Sequence, residues 1–381
     1  MKIIVMGGDG FCGWPTTLHL AKKGHQVLII DSLARRGIDE KLGTNSLTPI
    51  TDIYTRIKVA SKLITKIDFV NIDIASEYEK LKLTIKKFEP EAIIHFAEQR
   101  SAPYSMKNEQ TRNYTINNNI TATHNICSAI VEINKDISLI HLGTMGVYGY
   151  NDRFGKIPEG YLDIKVLETN KRSKIIYPSD PGSIYHLTKV LDHDILQYYN
   201  KNWGINITDL HQGVVWGTET PETKLDNRLC NRFDYCGDYG TVVNRFLMQA
   251  EIGYPLTIYG TGGQTRAMIH IEDTVKCIEI AINNKDINKD IKIYNQISET
   301  INLKRLANTI KDITNCQIQY IPNPRNELSD NALEVSNEGL LSLGFEPILL
   351  KNSLCDEICN VVSRYKNRVN LETIMPSSYW K

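Results

Sequence analysis

The 381-residue chain has no excess charge of either sign, because 44 Lys and Arg stand against 44 Asp and Glu. A chain so balanced has no general attraction for nucleic acid or an anionic membrane, so any basic residue that matters acts locally. It also lacks the spacing of a metal or redox centre. Its eight cysteines, at 12, 127, 230, 236, 277, 316, 355 and 359, include no CxxC pair, and no histidine cluster has zinc-ligand spacing. Buried free thiols in a reducing compartment are the expectation. No apolar run approaches the ~20 residues that span a bilayer. The first strand-like run already begins at Lys2. A cytoplasmic protein is therefore expected, or a mature form whose leader was removed. Internal repeats and low-complexity segments are absent too. The length and 41% hydrophobic content suit two closely packed domains around a sizeable core.

What is present is an alternation. Lys2 to Met6 is an apolar run ending in glycines, as in a buried parallel strand entering a turn. An amphipathic stretch from Trp14 to Lys23 closes at Gly24, and a second apolar run, Gln26 to Ile30, ends at Asp31. Strand, helix and strand within ~30 residues are the size of a βαβ unit. Further strands are expected over 68–72, 92–96, 139–142 and 206–210, with helical segments between them. The economical topology is an α/β, doubly wound Rossmann-type parallel sheet. Residues 37–66 lengthen the second crossover and carry a helical period at Ile53, Ile57, Ala60 and Ile64. Residues 150–182 read as a long loop, either a lid or a passive surface insertion. Beyond 211 the alternation weakens. The expected division is a Rossmann domain over 1–210 and a smaller, interwoven substrate domain over 211–381, with an approximate boundary and a discontinuous course in sequence.

Gly7, Gly10 and Gly13 form a GxxGxxG around Asp9, Phe11 and Cys12, placed after a strand and before a helix. Glycines there let the backbone turn tightly against a pyrophosphate, whose charge the helix N-terminus favours. Asp31 ends the second strand, 18 residues after Gly13, where a carboxylate can accept from adenosine ribose hydroxyls and repel a 2′-phosphate. NAD is therefore preferred over NADP. Arg35 and Arg36 argue mildly the other way, or line a pyrophosphate or sugar-phosphate. Asp73-Ile74 suits an adenine amino contact or, equally, a helix N-cap.

Tyr185 and Lys189 form a YxxxK pair whose i, i+4 spacing puts phenol and ammonium on one helix face. The cation is expected to lower the tyrosine pKa, so that the phenol can take a proton from a sugar hydroxyl. Thr144 ends the fifth strand, 41 residues earlier, and both hydroxyls can bond the reacting oxygen.

The glycine loop, Asp31, Thr144 and YxxxK together resemble the extended short-chain dehydrogenases that act on nucleotide sugars. In that resemblance Asn119 is the helix-kinking asparagine beside the cofactor, although a solvated helix face would also account for it. Pro255 to Arg266 resembles their nucleotide-binding segment, which implies that Arg266 contacts the diphosphate. A narrower likeness runs nearly end to end. Gly7 to Pro15, Ser32 to Arg36, Glu98 to Met106, Leu142 to Gly146, Tyr185-His186, Asp209 to Val215, Gly263 to Arg266, Asn323 to Arg325 and the tail Met375 to Lys381 are similar to the UDP-sulfoquinovose synthase family.

That likeness implies synthesis of UDP-sulfoquinovose from UDP-glucose and sulfite, with Thr144, Tyr185, Lys189 and His186 as catalytic residues. It adds Ser32 and Val215 to the NAD side. On the substrate side it places Gln99, Arg100, Thr144, Gln212, Thr241, Asn244, Thr257, Tyr259, Gln264, Arg266, Arg325 and Glu327. A homodimer or homotetramer, and a sulfite-supplying enzyme as partner, belong to the same expectation. Sulfite needs donors near C6 of the sugar, for which Arg100, Gln264 and His186 are the candidates in that order. Arg100 could instead pair with Glu98 or meet a sugar hydroxyl, and His186 could be a packed helix residue. The 4,6-dehydratases, which run the same elimination, carry an acid pair after the threonine. This chain has Met145 and Gly146 there, and Val147 where some relatives have Glu; His186 or a bound water is the substitute. Two other readings stand beside this one: a C4 epimerase or 4,6-dehydratase, and a catalytically silent NAD-binding protein. Arg100 and its neighbours argue against the first, and the intact Thr144, Tyr185 and Lys189 against the second.

Overall fold

Seven short runs rich in Ile, Leu and Val form one parallel sheet, because strands buried on both faces must be apolar throughout. Their spatial order is Lys292–Gln296, Ile207–Gln212, Ser138–Thr144, Ala92–His95, Lys2–Met6, Gln26–Asp31 and Ile67–Asn71. The computed structural model describes residues 1–150, 153–284 and 290–380. Asn151, Asp152, 285–289 and the terminal Lys381 lie outside the described residues, as do the side chains of Cys355, Ile358 and Cys359. The six expected strands are all present, with ends moved by one or two residues. The seventh, Lys292–Gln296, comes from beyond residue 211 and pairs in parallel with Ile207–Gln212.

Alternate residues of the strands face opposite layers. Ile4, Met6, Leu28, Ile30 and Ile93 pack with Ile126 and Ile130 of the helix Glu109–Ile133 and with Leu196 of the helix Ile184–Trp203. Ile3, Val5, Val27, Ile29 and Ile94 pack with Trp14 and Leu18 of the helix Gly13–Lys22 and with Ile278 and Ile282 of the helix Ile271–Asn283. The expected helical period in the second crossover is the helix Ile53–Leu63, opened by Asp52, whose side chain accepts from Thr55 N at 2.9 Å. A third core, around Trp216, Phe233, Phe246 and Leu306, lies under the later half of the chain. Above it sit a three-stranded sheet, Val214–Trp216, Thr265–His270 and Glu299–Asn302, and a parallel pair, Leu256–Tyr259 with Ile318–Ile321.

One expectation is corrected. Residues 150–182 are not a plain loop, because Tyr161–Lys165 and Arg172–Ile176 pair as an antiparallel hairpin. Tyr161–Lys165 is half-buried and Arg172–Ile176 mostly exposed, and their mixed sequences, YLDIK and RSKII, leave little hydrophobic pattern to read. Cys127, Cys236 and Cys277 are buried and free, while Cys12, Cys230 and Cys316 are free and partly exposed. Among the described residues no helix is long and apolar enough to cross a membrane.

The lengthened crossover is tied down by a buried charge. Arg56 is 0% exposed; its Nη1 lies 2.6 Å from Asp9 Oδ1 and its Nη2 donates to Cys230 O at 3.2 Å. Its guanidinium stacks 3.9 Å from the Trp14 ring. The glycine loop, the crossover helix and the segment near 230 thus share one cation. Breaking a buried pair by removing one partner typically costs about 3–5 kcal/mol. Arg56→Ala should lower the unfolding free energy by roughly 3 kcal/mol in a denaturant titration, the low end because Arg36 still neutralises Asp9. A loss below about 1 kcal/mol would mean that the pair is not what holds the crossover.

Candidate active site

The strand order reverses beside Lys2–Met6, since the chain leaves it toward Gln26–Asp31 and later returns to its other side at Ala92–His95. Ligand crevices of doubly wound sheets open at such a switch, outside the carboxyl ends of the strands. Here the Gly7–Gly13 loop, the Phe96–Arg100 loop and Thr144 meet around two adjoining cavities.

The first cavity runs from Asp31, Ser32, Arg35, Asp73 and Ile74, past Gly7, Asp9, Gly10, Phe11, Cys12 and Gly13, to Tyr185 and Lys189. Its glycines are sterically required. A Cβ on Gly13 would lie 2.0 Å from Gly7 O, and one on Gly7, at φ 80°, would lie 2.8 Å from Ala97 N. Asp31 accepts from Asp9 N at 2.9 Å and Leu33 N at 2.7 Å. Burial, reinforced by Asp9, raises its pKa to about 6. The two arginines are engaged elsewhere. Arg35 pairs with Asp39 and Asp234, while Arg36 grips Asp9 at 2.6 and 2.9 Å and faces neither cavity. Neither is free for a 2′-phosphate, so the backbone cradle and the acidic ribose end fit NAD.

The second cavity holds Thr144, Tyr150, His186, Val215, Thr241, Arg245, Tyr259, Arg266, Arg325 and Glu327. Phe11, Cys12, Arg100, Tyr185, Gln212 and Tyr239 line both, so the YxxxK tyrosine stands on the seam between the two. Arg266 pairs with Glu327 and lies 4.4 Å over the Tyr150 ring. Arg100 pairs at 2.6 Å with Asp234, not with Glu98.

Several expected residues sit elsewhere. Val215 lines the second cavity rather than the cofactor one, and Gln99 the first rather than the second. Asn119 lines neither; it is buried, donates to Gln99 O at 3.0 Å and Thr188 Oγ1 at 3.1 Å, and so braces the loop after the fourth strand. Asn244 accepts from Gly217 N at 3.1 Å and Thr257 Oγ1 from Gln249 at 2.8 Å, both behind the cavity wall. Gln264 is also buried outside both linings, with no hydrogen-bond partner for its amide.

The electrostatics correct two further expectations. Burial raises the Tyr185 pKa to about 12; Lys189 opposes that rise and Glu98 adds to it. The lysine does lower the phenol, but its charge is largely spent on Glu98, 2.6 Å away. His186 is pushed down to about 3 by burial, with Arg325 and Arg266 adding to the fall. It is therefore a neutral imidazole and no cation for sulfite. Its ring covers Gly146, where a Cβ would lie 2.3 Å from Cδ2. Sequence reasoning missed Glu98, Asp234, Arg245, Tyr150 and Tyr239. The spacing rule for metal ligands also failed to anticipate that folding brings His193, Asp209 and His211 within 4.8 Å of one another. The one available signal was Glu98 itself, a carboxylate three residues after a strand buried on both faces.

Together these features define a dehydrogenase-type enzyme that acts on a second ligand beside NAD. Residues 3–295 match the NAD dependent epimerase/dehydratase family. The chain is 42% identical over 385 residues to the chloroplastic UDP-sulfoquinovose synthase of Spinacia oleracea, covering 100% of this chain and 79% of that one. It is 37% identical over 392 residues to the UDP-sulfoquinovose synthase of Sulfolobus acidocaldarius, covering 100% and 98%. The UDP-glucose 4-epimerase of Thermotoga maritima, solved with UDP-glucose, shares the fold at a TM-score of 0.71 and 20% identity, covering 97% of this chain and 100% of that one. The chain belongs to the NAD dependent epimerase/dehydratase family and, within it, to the UDP-sulfoquinovose synthases.

Tyr185→Phe keeps the ring and removes the proton acceptor. Turnover should fall about a hundredfold or more. The melting temperature should stay near the wild-type value, since no partner of the phenol is lost. Undiminished turnover would make the YxxxK pair structural.

Proposed function

We propose that the chain makes UDP-sulfoquinovose from UDP-glucose and sulfite. The observation that carries this reading is the seam: Tyr185 stands where a cavity suited to NAD meets one lined by arginines, with Thr144 beside it. NAD held by the Gly7–Gly13 loop and Asp31 in the first cavity would supply a hydride acceptor, and afterwards a hydride donor, for C4 of glucose. Tyr185, as phenolate, accepts the O4 proton and later gives it back, while Thr144 Oγ1 bonds the same oxygen. The C4 ketone acidifies the C5 hydrogen. The C5 proton and the C6 hydroxyl then leave as water, giving a C5–C6 alkene. Sulfite sulfur bonds to C6, and C5 takes a proton.

His186 or a bound water carries the protons at C5 and C6 in this reading. As a neutral imidazole, His186 offers one N–H and one lone pair, and its Nε2 lies 3.4 Å from the Tyr150 hydroxyl. Arg100 orients sulfite or C6 through its planar fork, held in place by Asp234. Arg266 and Arg325 take the diphosphate. Residues beyond 211 form the nucleotide-sugar side of the molecule. A cytoplasmic homo-oligomer fed by a sulfite-supplying enzyme completes the reading.

Mass spectrometry of products after incubation with UDP-glucose, with and without sulfite, tests it. A sulfonated UDP-hexose formed only with sulfite is expected. A C4 epimer or a 6-deoxy-4-keto sugar formed regardless of sulfite would overturn the reading. Purified protein should also carry NAD and need none added, because the hydride is returned. Arg100→Ala should slow sulfonation more than it slows NADH formation from UDP-glucose alone; equal loss of both would place Arg100 in general substrate binding.

A further inference from the structure

The mechanism makes no use of the cluster of buried ionisable groups behind Lys189. Glu98 Oε2 lies 2.6 Å from Lys189 Nζ, and both side chains are at most 5% exposed. Glu98 Oε1 lies 3.0 Å from His95 Nε2 and 3.4 Å from His141 Nε2. Lys189 also donates to Leu142 O at 2.6 Å and lies 3.3 Å from His141 Nε2. Behind these, His141 Nδ1 meets Asp209 Oδ1 at 2.8 Å, and Asp209 Oδ2 meets His193 Nδ1 at 2.9 Å and His211 Nε2 at 3.0 Å. Asp192 Oδ2 lies 3.9 Å from both Lys189 Nζ and His141 Nε2.

We propose that Glu98 is a positioning residue whose carboxylate fixes the Lys189 ammonium and thereby sets the pH at which Tyr185 takes the substrate proton. The geometry leaves the ammonium little other choice, because a carboxylate and a carbonyl occupy two of its three donor directions. Its charge state is set by the same neighbours. Glu98 is held well below the usual carboxylate range by Lys189 and the two histidines, although burial alone would raise it. Asp209 is likewise held down, while Asp192 is driven well up by burial and by Glu98. His141 is raised to about 9 by its carboxylate neighbours, against burial and Lys189, while burial brings His95 down to about 4. Near neutral pH the cluster thus holds two anions, Glu98 and Asp209, against two cations, Lys189 and His141.

Removing the Glu98 charge changes two titrations. Tyr185 is faced by Lys189 and His186 on its own helix, by Tyr150, and by Glu98 and Arg100 from the loop after the fourth strand. Without the anion, Lys189 acts on the phenol unscreened and the tyrosine pKa falls. Lys189, now buried without its partner, loses its proton at lower pH than before.

The inference rests on Tyr185 accepting the O4 proton, but not on sulfite. The test is therefore the pH profile of NADH absorbance when NAD-loaded protein meets UDP-glucose alone. In Glu98→Gln the rising limb should move down by about one pH unit, and a falling limb should appear on the alkaline side as Lys189 deprotonates. Ultraviolet tyrosinate absorbance, taken as the difference from Tyr185→Phe, should shift in the same direction. A Glu98→Gln profile of any height whose limbs coincide with wild type would falsify the proposal. Should Glu98→Gln fail to fold, Glu98→Asp keeps the charge and shortens the reach. It should retain the wild-type limb and lose turnover about fivefold, and wild-type turnover there would equally overturn the role. If the wild-type protein itself gives no NADH from UDP-glucose, it is the Tyr185 reading that fails.

Discussion

The first strand lies between strands reached in opposite directions, Gln26–Asp31 on one side and Ala92–His95 on the other, so the loops at their carboxyl ends part and leave a crevice. The side chains on the cofactor side of the site are placed by that divergence. The glycine loop follows the first strand, Asp31 ends the second, Glu98 to Arg100 follow the fourth, and Thr144 ends the fifth. The helix Ile184–Trp203, on the face away from the glycine-loop helix, brings Tyr185 in from below. Its first turn is fixed by Ser183, whose hydroxyl accepts from His186 N at 3.2 Å. Besides the turn glycines, two residues of the site sit in the left-handed region, Leu33 at φ 60° and Tyr150 at φ 55°.

Such a crevice forces charge into the interior, and the molecule meets the cost by pairing. Isolated buried ions are prohibitive, whereas paired and hydrogen-bonded ones are tolerable. Around the cofactor loop, Asp9 takes Arg36 and Arg56. Between the cavities, Asp234 takes Arg35, Arg100 and Arg232. Behind the tyrosine, Glu98 takes Lys189. Asp234 lies outside every recognised motif, while Asp9 sits in the glycine loop and Glu98 opens the Glu98–Met106 block, yet no motif assigns a cation to any of the three. Asp234 leaves Arg35, Arg100 and Arg232, and Glu98 leaves Lys189, on a cavity wall, so the site carries positive potential for anionic ligands in a chain with no net charge.

That division explains what could be read from the chain alone. The strand runs, the glycine loop and the i, i+4 tyrosine and lysine are local patterns, set by a few consecutive residues, and all appear in their expected places. The carboxylate partners are separated from their cations by tens to more than a hundred residues, as Asp234 is from Arg100 or Glu98 from Lys189. No period or spacing connects such positions. The same limit produced the misplacements. Asn119, Asn244 and Thr257 lie on elements that touch the crevice, but their side chains point into the wall, a matter of helix and strand rotation below the resolution of a motif. The rise in the tyrosine pKa was not legible either, because it comes first from burial of the phenol and then from Glu98, both set by tertiary packing.

The trade between positions 146 and 186 follows from the same packing. The Ser183 cap sets the start of the catalytic helix, so the residue after Tyr185 must lie against the turn that follows Thr144. An imidazole there leaves no room for any side chain at 146, since even a Cβ would sit 2.3 Å from the ring. Glycine at 146 and histidine at 186 are therefore one choice rather than two, and an acid at 146 would require a small residue at 186. The surroundings favour the histidine. A carboxylate beside Arg266 and Arg325 would be drawn into an ion pair that takes up their charge. A neutral imidazole beside the same arginines stays uncharged, keeps both a donor and an acceptor, and leaves their positive field to the anionic ligand.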